Sequence, residues 1–583
     1  MKRLFVFVLL LVLIGSVFGV PMAQDMAPEG TFLGTWPYSL PPNHHFNAFA
    51  DGGPDSNLGL QYKEMVLLAP AFYIWSSNNY QALLAESWGF TEDGSAYEFT
   101  LRSDALWSNG DPITSNDVVM TYALGRLKGW SQFNYYSKVE AVDDHTVRFT
   151  FSDQPSLLAE RLILRESILP ASVYGDFAQR ALDLFATGAT SDSEEWTALL
   201  TELGEFRPEG LVASGPYTYT LADVGDSFFT MHWQPNSIFS GSVKFGEIKL
   251  WAGETDATTP LVLSGEIAHA TNVYPPATLE TFQNEGLRII KISRGYGPVM
   301  LFNFARAPWN IVEVRQAVAL VIERSQNAFL TNGLAAAGTV YMSGILDDNV
   351  AAMLPQDVID QLDHYDFDTA RAEALLGGVG FARNDAGIWE NGDGVTLSGE
   401  WLIPADFADF AGASQDAIAQ LNAFGFDLVA RAVPWQEVPP AIRAGEFEVS
   451  VWSWGAASPF AYSHLRNPLQ RWTTELDTAT QPGLNIPMSE YPYNGGTVNL
   501  DDMIIHVNDG IDLETHRQNA GEIALIINQT MPFIPLNIMQ SAEPFNTSFL
   551  SGLPEDGDPI LLNPAGADHF MKLYILTGMV GPA

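Results

Sequence analysis

The sequence predicts an α/β protein of two to four structural units. At 583 residues the chain exceeds what a single hydrophobic core organises. Its apolar fraction of 47% without long apolar tracts beyond the N-terminus is that of an ordinary globular protein. Alternating apolar positions such as Tyr97, Phe99 and Leu101 give way, after turns, to helical spacing such as Val118, Tyr122 and Val119, Ala123, Leu127. Strands and helices therefore interleave along the chain.

The N-terminus reads as a secretory signal peptide over residues 1–19. Lys2 and Arg3 precede the apolar run Leu4 to Ile14, and Gly15, Ser16 and Gly19 follow. The run is short for a membrane span, and no cysteine follows it to be lipidated. An exported protein, periplasmic or otherwise extracytoplasmic and without a cysteine-linked anchor, is expected. The absence of cysteine also excludes thiolate nucleophiles, zinc-thiolate sites and iron-sulfur clusters. A net charge of -41, from 69 acidic and 28 basic residues, opposes nucleic acid or an anionic membrane as partner, since both require cationic footprints.

Beyond the leader, Trp36-Pro37-Tyr38 and His44-His45 lie among prolines and glycines, a loop composition. Two histidines fall short of the three or four ligands zinc takes, so no metal is expected. Asn109-Gly110-Asp111-Pro112 makes a turn into Thr114-Ser115-Asn116-Asp117, a capping box with a shortened acid. Asp368 or Thr369 starts a helix through Leu376, which Gly377-Gly378 ends. Asn391-Gly392-Asp393-Gly394 resembles part of a calcium loop, but Trp389 stands where the first carboxylate belongs, and a hairpin turn is the better reading. Gly378-Val379-Gly380 lacks a third glycine and follows a helix, so no dinucleotide site or other cofactor is expected. No hydrolase motif occurs. Among 69 acids nothing singles out a carboxylate pair for glycoside hydrolysis.

The stretch from Val433 to Arg466 carries the strongest functional signal. Phe447, Val449 and Val451 alternate with Glu448, Ser450 and Trp452, a strand that reaches Trp454 and then the breaker-rich loop Gly455 to Pro459. Indoles at a strand end either cap a core or offer stacking faces to a ligand such as a sugar ring. The residues alone leave both open.

Several blocks occur together in one order: Leu84-Ala85-Glu86-Ser87-Trp88, the Asp93-Gly94 turn, Trp107 to Pro112, Thr114 to Val119, Ser214-Gly215-Pro216-Tyr217, and Leu301-Phe302-Asn303-Phe304 with Ala307-Pro308-Trp309. With these the mature chain resembles the family 5 extracellular solute-binding proteins, receptors of ATP-driven (ABC) importers for peptides, nickel and oligosaccharides. The resemblance implies a large, three-domain, two-lobed periplasmic-binding-protein fold with a ligand cleft between the lobes. Domain I is expected over 24–69, 211–297 and 544–583, domain II over 70–210, and domain III over 298–543. It also implies a binding protein and not an enzyme, a monomer that meets a membrane permease transiently.

For the site, the resemblance points to Trp454 and Trp435 as stacking faces, with Trp36, Asn303 and Trp452 as further contacts. In peptide-binding members an aspartate three residues after the strand-end tryptophan holds the peptide ammonium; here that position is Ala457. A buried ammonium without a counter-charge is costly, so a short oligosaccharide is the expected ligand. The alternatives are an oligopeptide, held by another acid such as Asp406 or Asp409, and a secreted glycoside hydrolase activity. Tyr38, Tyr73, Trp75, Tyr296 and Phe460 add aromatics near the expected cleft, each as readily a core side chain.

Overall fold

The computed structural model describes residues 26–36, 44–477 and 479–583; the expected signal peptide and Tyr38 lie outside them. Among the described residues no helix is long and apolar enough to cross a membrane.

Local sequence signals act where they stand. Thr114 caps the helix Ser115–Leu127 in a capping box with Asp117, which satisfies amide groups left without partners at the helix start. Asp368, not Thr369, caps Thr369–Gly378 by accepting from the Arg371 amide. In the strand Ala96–Leu101, Tyr97, Phe99 and Leu101 are buried while Glu98 and Thr100 are half-buried. At Asn391 the side chain accepts from the Asp393 and Val395 amides at 3.0 and 2.9 Å, which makes the predicted turn.

Two lobes result. In the first, Thr31–Thr35, Glu247–Trp251, Phe228–Trp233 and Tyr217–Thr218 form one four-stranded sheet, and Ala85–Phe90, Ala96–Leu101, Thr146–Phe151 and Tyr136–Ala141 form another. One continuous core joins them, together with the C-terminal helix Phe570–Leu576. The second lobe is built on a five-stranded sheet in the order Asp427–Val433, Ser398–Pro404, Val449–Trp454, Gly297–Phe302, Phe533–Pro535. The first three run parallel, and the last two are each antiparallel to their neighbour. Separate hydrophobic cores cover its two faces.

The chain enters the second lobe between the strands Arg288–Ser293 and Gly297–Phe302 and leaves it between Phe533–Pro535 and Asn537–Phe545. The outer members of these pairs are hydrogen-bonded to each other, Arg288 opposite Phe545 and Ser293 opposite Gln540. At the entry crossing Gly295 has φ 74°, and a Cβ there would lie 2.6 Å from Ala457 Cα. The crossing thus lies directly against the loop that follows Trp454, and only glycine fits.

Candidate functional site

The three parallel strands of the second lobe end side by side, Pro404 opposite Val433 and Val449–Trp454 next in the sheet. Crevices outside the carboxyl ends of parallel strands are where open α/β sheets bind ligands. Aromatic side chains collect there. Phe407 stacks on Trp435 with centroids 5.6 Å apart and rings 15° from parallel, and lies 6.4 Å from Trp452. Trp452 meets Trp472 edge-on at 6.1 Å. Trp435 is 39% exposed, with its amide held by Asp406 at 3.0 Å. The structure thus brings Trp435 and Trp452 into one cluster, with Phe407 as a member that the sequence reading missed.

The other three expected contacts are engaged within the protein instead. Trp454 is 1% exposed and its indole N–H donates to the Asn537 carbonyl at 3.1 Å. Val449 and Val451 face one core as expected, whereas Phe447, which precedes the strand, joins the core that holds Trp454; the strand is interior and both sheet faces are covered. Ser450 is therefore also buried, and the face carrying Trp454 meets a second core instead of solvent. Asn303 is 1% exposed and donates to the Gly445 and Phe447 carbonyls at 3.0 and 2.9 Å. Its carbonyl oxygen accepts from Ala305 and Asn485, so this amide ties turns together and has nothing left to offer a ligand. Trp36 packs within the first lobe over Gly59, where a Cβ would come within 2.3 Å of its ring.

A cavity of about 690 Å³ opens between the lobes, a size suited to small-molecule ligands. The first lobe contributes Tyr73, Trp75 and Asn78, and the second contributes Asn349, Met353 and Phe460. Tyr73, Trp75 and Phe460 were all among the aromatics marked in the sequence. Asn349 is 8% exposed and lines the cavity. Ser76, Ser77 and Asn508 add neutral polar groups. Arg517 also borders the cavity; one of its terminal nitrogens donates to the Leu354 carbonyl at 2.6 Å, while its Nε is buried without a hydrogen bond. Asp348 and Glu514 stand exposed on the lining. Asp406 and Asp409, the acids proposed for a peptide amine, are not in this lining.

The Tyr73 to Trp75 wall rests on buried charge. The Trp75 indole N–H donates to Asp568 at 2.8 Å. Asp568 pairs with Arg161 and, at 3.1 Å, with Arg165. Arg165 reaches Glu64 at 2.8 Å, and Glu64 reaches Lys572 at 2.8 Å. Burial alone would raise the Asp568 carboxyl, but Arg161 and Arg165 outweigh it and bring it down to about 2. Burial likewise opposes ionisation of Glu64, yet Lys572 and Arg165 hold it below its ordinary value.

His269, Glu543 and His569 form a fully buried group of metal-ligating type. Hydrogen bonding gives it another role. His569 Nδ1 accepts from the Met571 amide at 3.1 Å, which puts its proton on Nε2, the atom facing Glu543 at 3.0 Å. A protonated nitrogen cannot ligate. Glu543 also receives Ser541 Oγ at 2.7 Å and His269 Nε2 at 2.5 Å. This is a solvated-by-protein carboxylate that fastens the strand Asn537–Phe545 to the C-terminal segment.

His464 lies behind the cavity wall. Its Nε2 donates to the Ser458 carbonyl at 2.8 Å and its Nδ1 accepts from the Leu346 amide at 3.4 Å. Burial lowers it to about 4. The unfolded chain takes up this proton near 6.5, so the stability is fully present above pH 6.5 and is lost as pH falls towards 4. We expect a loss of about 3 kcal/mol across that window, absent in His464→Gln, as measured by urea denaturation at stepped pH.

A family model described as bacterial extracellular solute-binding proteins, family 5, matches residues 79–472. The chain belongs to this family. Its two-lobed architecture follows that of solved solute-binding proteins. An oligopeptide-transporter binding protein of Thermotoga maritima superposes with a TM-score of 0.74 at 19% identity, covering 95% of this chain and 99% of that one. The structure of that protein with mannohexaose gives 0.64 at 19% identity, covering 94% and 97%. Among curated relatives, the dipeptide-binding protein DppE of Bacillus subtilis is 25% identical over 269 residues, 42% of this chain and 44% of that protein. The peptidoglycan-binding protein YepA of Agrobacterium fabrum is 40% identical over 76 residues, 12% of each. This family 5 chain therefore spans less than half the length of these curated relatives.

Proposed function

We propose that this chain is the extracytoplasmic receptor of an ABC importer and that it captures a short neutral oligosaccharide in the cavity between its lobes. The lining of that cavity carries the reading. Trp75 offers a partly exposed ring, Tyr73 and Phe460, 3% and 6% exposed, offer ring edges, and the neutral amides and hydroxyls of Asn78, Asn349 and Ser76 suit sugar hydroxyls. An anionic ligand would meet Asp348 and Glu514 unfavourably. The related Thermotoga maritima protein crystallised with mannohexaose supports sugar recognition on this fold. Trp435 and Trp452 form a second aromatic surface at the strand ends, available to a longer chain. The alternative is an oligopeptide, which the acids Asp348 and Glu514 favour because either could hold a terminal ammonium. The Bacillus subtilis AppA structure with a nonapeptide supports that alternative.

Closure by rotation about the crossings at residues 293–297 and 535–537, between domain III and domains I and II as bounded above, would trap the ligand. The receptor is taken to act as a monomer that meets its permease transiently. A thermal-shift screen of di- to hexasaccharides against di- to pentapeptides tests the ligand, because saturation at about a hundred times Kd stabilises the folded state by about 2.7 kcal/mol. Shifts with sugars, recovered unaltered, are expected. Stabilisation by peptides alone would overturn the sugar reading, and release of shorter sugars would return the protein to the glycoside hydrolases.

A further inference from the structure

We infer that Arg161 and Asp568 are positioning residues for ligand recognition: together they set the orientation of the Trp75 ring that walls the cavity. The inference rests on the cavity reading above, and its first readout needs no ligand.

Trp75 is held on three sides by groups distant in sequence. Its indole N–H donates to Asp568 Oδ2 at 2.8 Å, and its backbone amide donates to Asn563 Oδ1 at 3.0 Å. Arg161 lies with its guanidinium carbon 5.9 Å from the Trp75 ring and 4.7 Å from the Tyr73 ring, within the range of cation–π attraction. Asn563 in turn donates to the Tyr73 carbonyl at 2.8 Å and to the Asp568 carbonyl at 3.0 Å. The C-terminal segment thus grips both the backbone and the ring of the wall, while Leu562 from the same segment stands at its rim.

The way the charges are shared separates wall-setting from simple bracing. Asp568 is 1% exposed and pairs with Arg165 as well as with Arg161. Arg165 is also bonded to the Ala71 and Ala567 carbonyls and to Glu64, so the bracing between segments runs through Arg165. Arg161 has a different set of neighbours: Asp568 and the two rings, with Nη1 buried and without a hydrogen bond. What Arg161 contributes is a charge that fixes the Asp568 carboxylate under the indole N–H and a flat surface against which Tyr73 and Trp75 are set.

Arg161→Met tests this without stripping Asp568 of its remaining partner. In a proton–nitrogen correlation spectrum of the full chain, the Trp75 indole signal is identified by its loss in Trp75→Phe. It is expected far downfield in the native protein, because its donor faces a carboxylate, and displaced or doubled in Arg161→Met. With mannohexaose as probe, Arg161→Met should weaken binding at least about tenfold in the native background and less than about twofold in the Trp75→Phe background, the coupling expected of a residue that acts through another. Asp568→Asn should displace the same signal. An unmoved Trp75 signal in Arg161→Met, or equal losses of affinity in both backgrounds, overturns the inference. The indole signal decides it even where mannohexaose binds no form of the protein, a result that would count against the sugar reading alone.

Discussion

Trp454→Ala is expected to cost the unliganded protein about 3–5 kcal/mol, because a fully buried indole is removed from a core that cannot collapse around the space. Trp454 is 1% exposed among Leu346, Trp472 and other side chains of the second-lobe core, and its N–H satisfies a strand carbonyl. Urea denaturation without ligand measures the loss as a lower midpoint. Trp435→Ala is the contrasting control. That ring is 39% exposed and stacks on one partner, Phe407, so its removal should cost only about 1 kcal/mol. Were the two variants equally stable, Trp454 would belong to the ligand surface after all and the burial described here would be a property of a closed form.

Glu64→Gln is expected to cost a similar amount, about 3–5 kcal/mol, since it breaks a buried ion network by removing one partner. Glu64 is 4% exposed and stands between Arg165 and Lys572, each at 2.8 Å. The amide keeps the shape and loses the charge, which leaves two cations close together out of water. Burial already lowers the Lys572 ammonium from its ordinary value, and loss of the carboxylate lowers it further. Raising the pH should therefore let Lys572 shed its proton and recover part of the lost stability. Midpoints at pH 7 and pH 9 check this: the deficit relative to the native protein is expected to shrink at the higher pH. A constant deficit would mean that the loss comes from packing and not from charge.

The cavity and the network depend on one another through a small number of contacts. Asp568 belongs to both, and its two arginines lie on the single helix Leu157–Arg165, one turn apart, so that one faces the aromatic wall and the other the Glu64 pair. Changes at Glu64 should therefore reach the cavity by way of Arg165 and Lys572, which meet at the Ala567–Asp568 segment, and changes at Arg161 should reach it through the Trp75 ring.

The sequence by itself determined whatever depends on a few consecutive residues, and it determined the family through the order of those short pieces. Thr114 and Asp117 close a capping box because the bonded groups are three residues apart. Asn391 makes its turn with amides two and four residues ahead. Tyr97, Phe99 and Leu101 point one way because strand side chains alternate. Only the tertiary structure decided what a side chain meets once it points there. Trp452 and Trp454 share a face by the same alternation, yet one joins Phe407 and Trp435 at the strand ends and the other lies under Asn537, 83 residues further on. Asn303, placed in the cleft by resemblance, is used up by carbonyls more than 140 residues away. Glu64 and Lys572, separated by 508 residues, carry no mark in the sequence that they pair. Periodicity reports direction relative to the element that bears the residue, whereas burial and partnership depend on which distant segment covers that face, and that is settled when the two lobes assemble their cores.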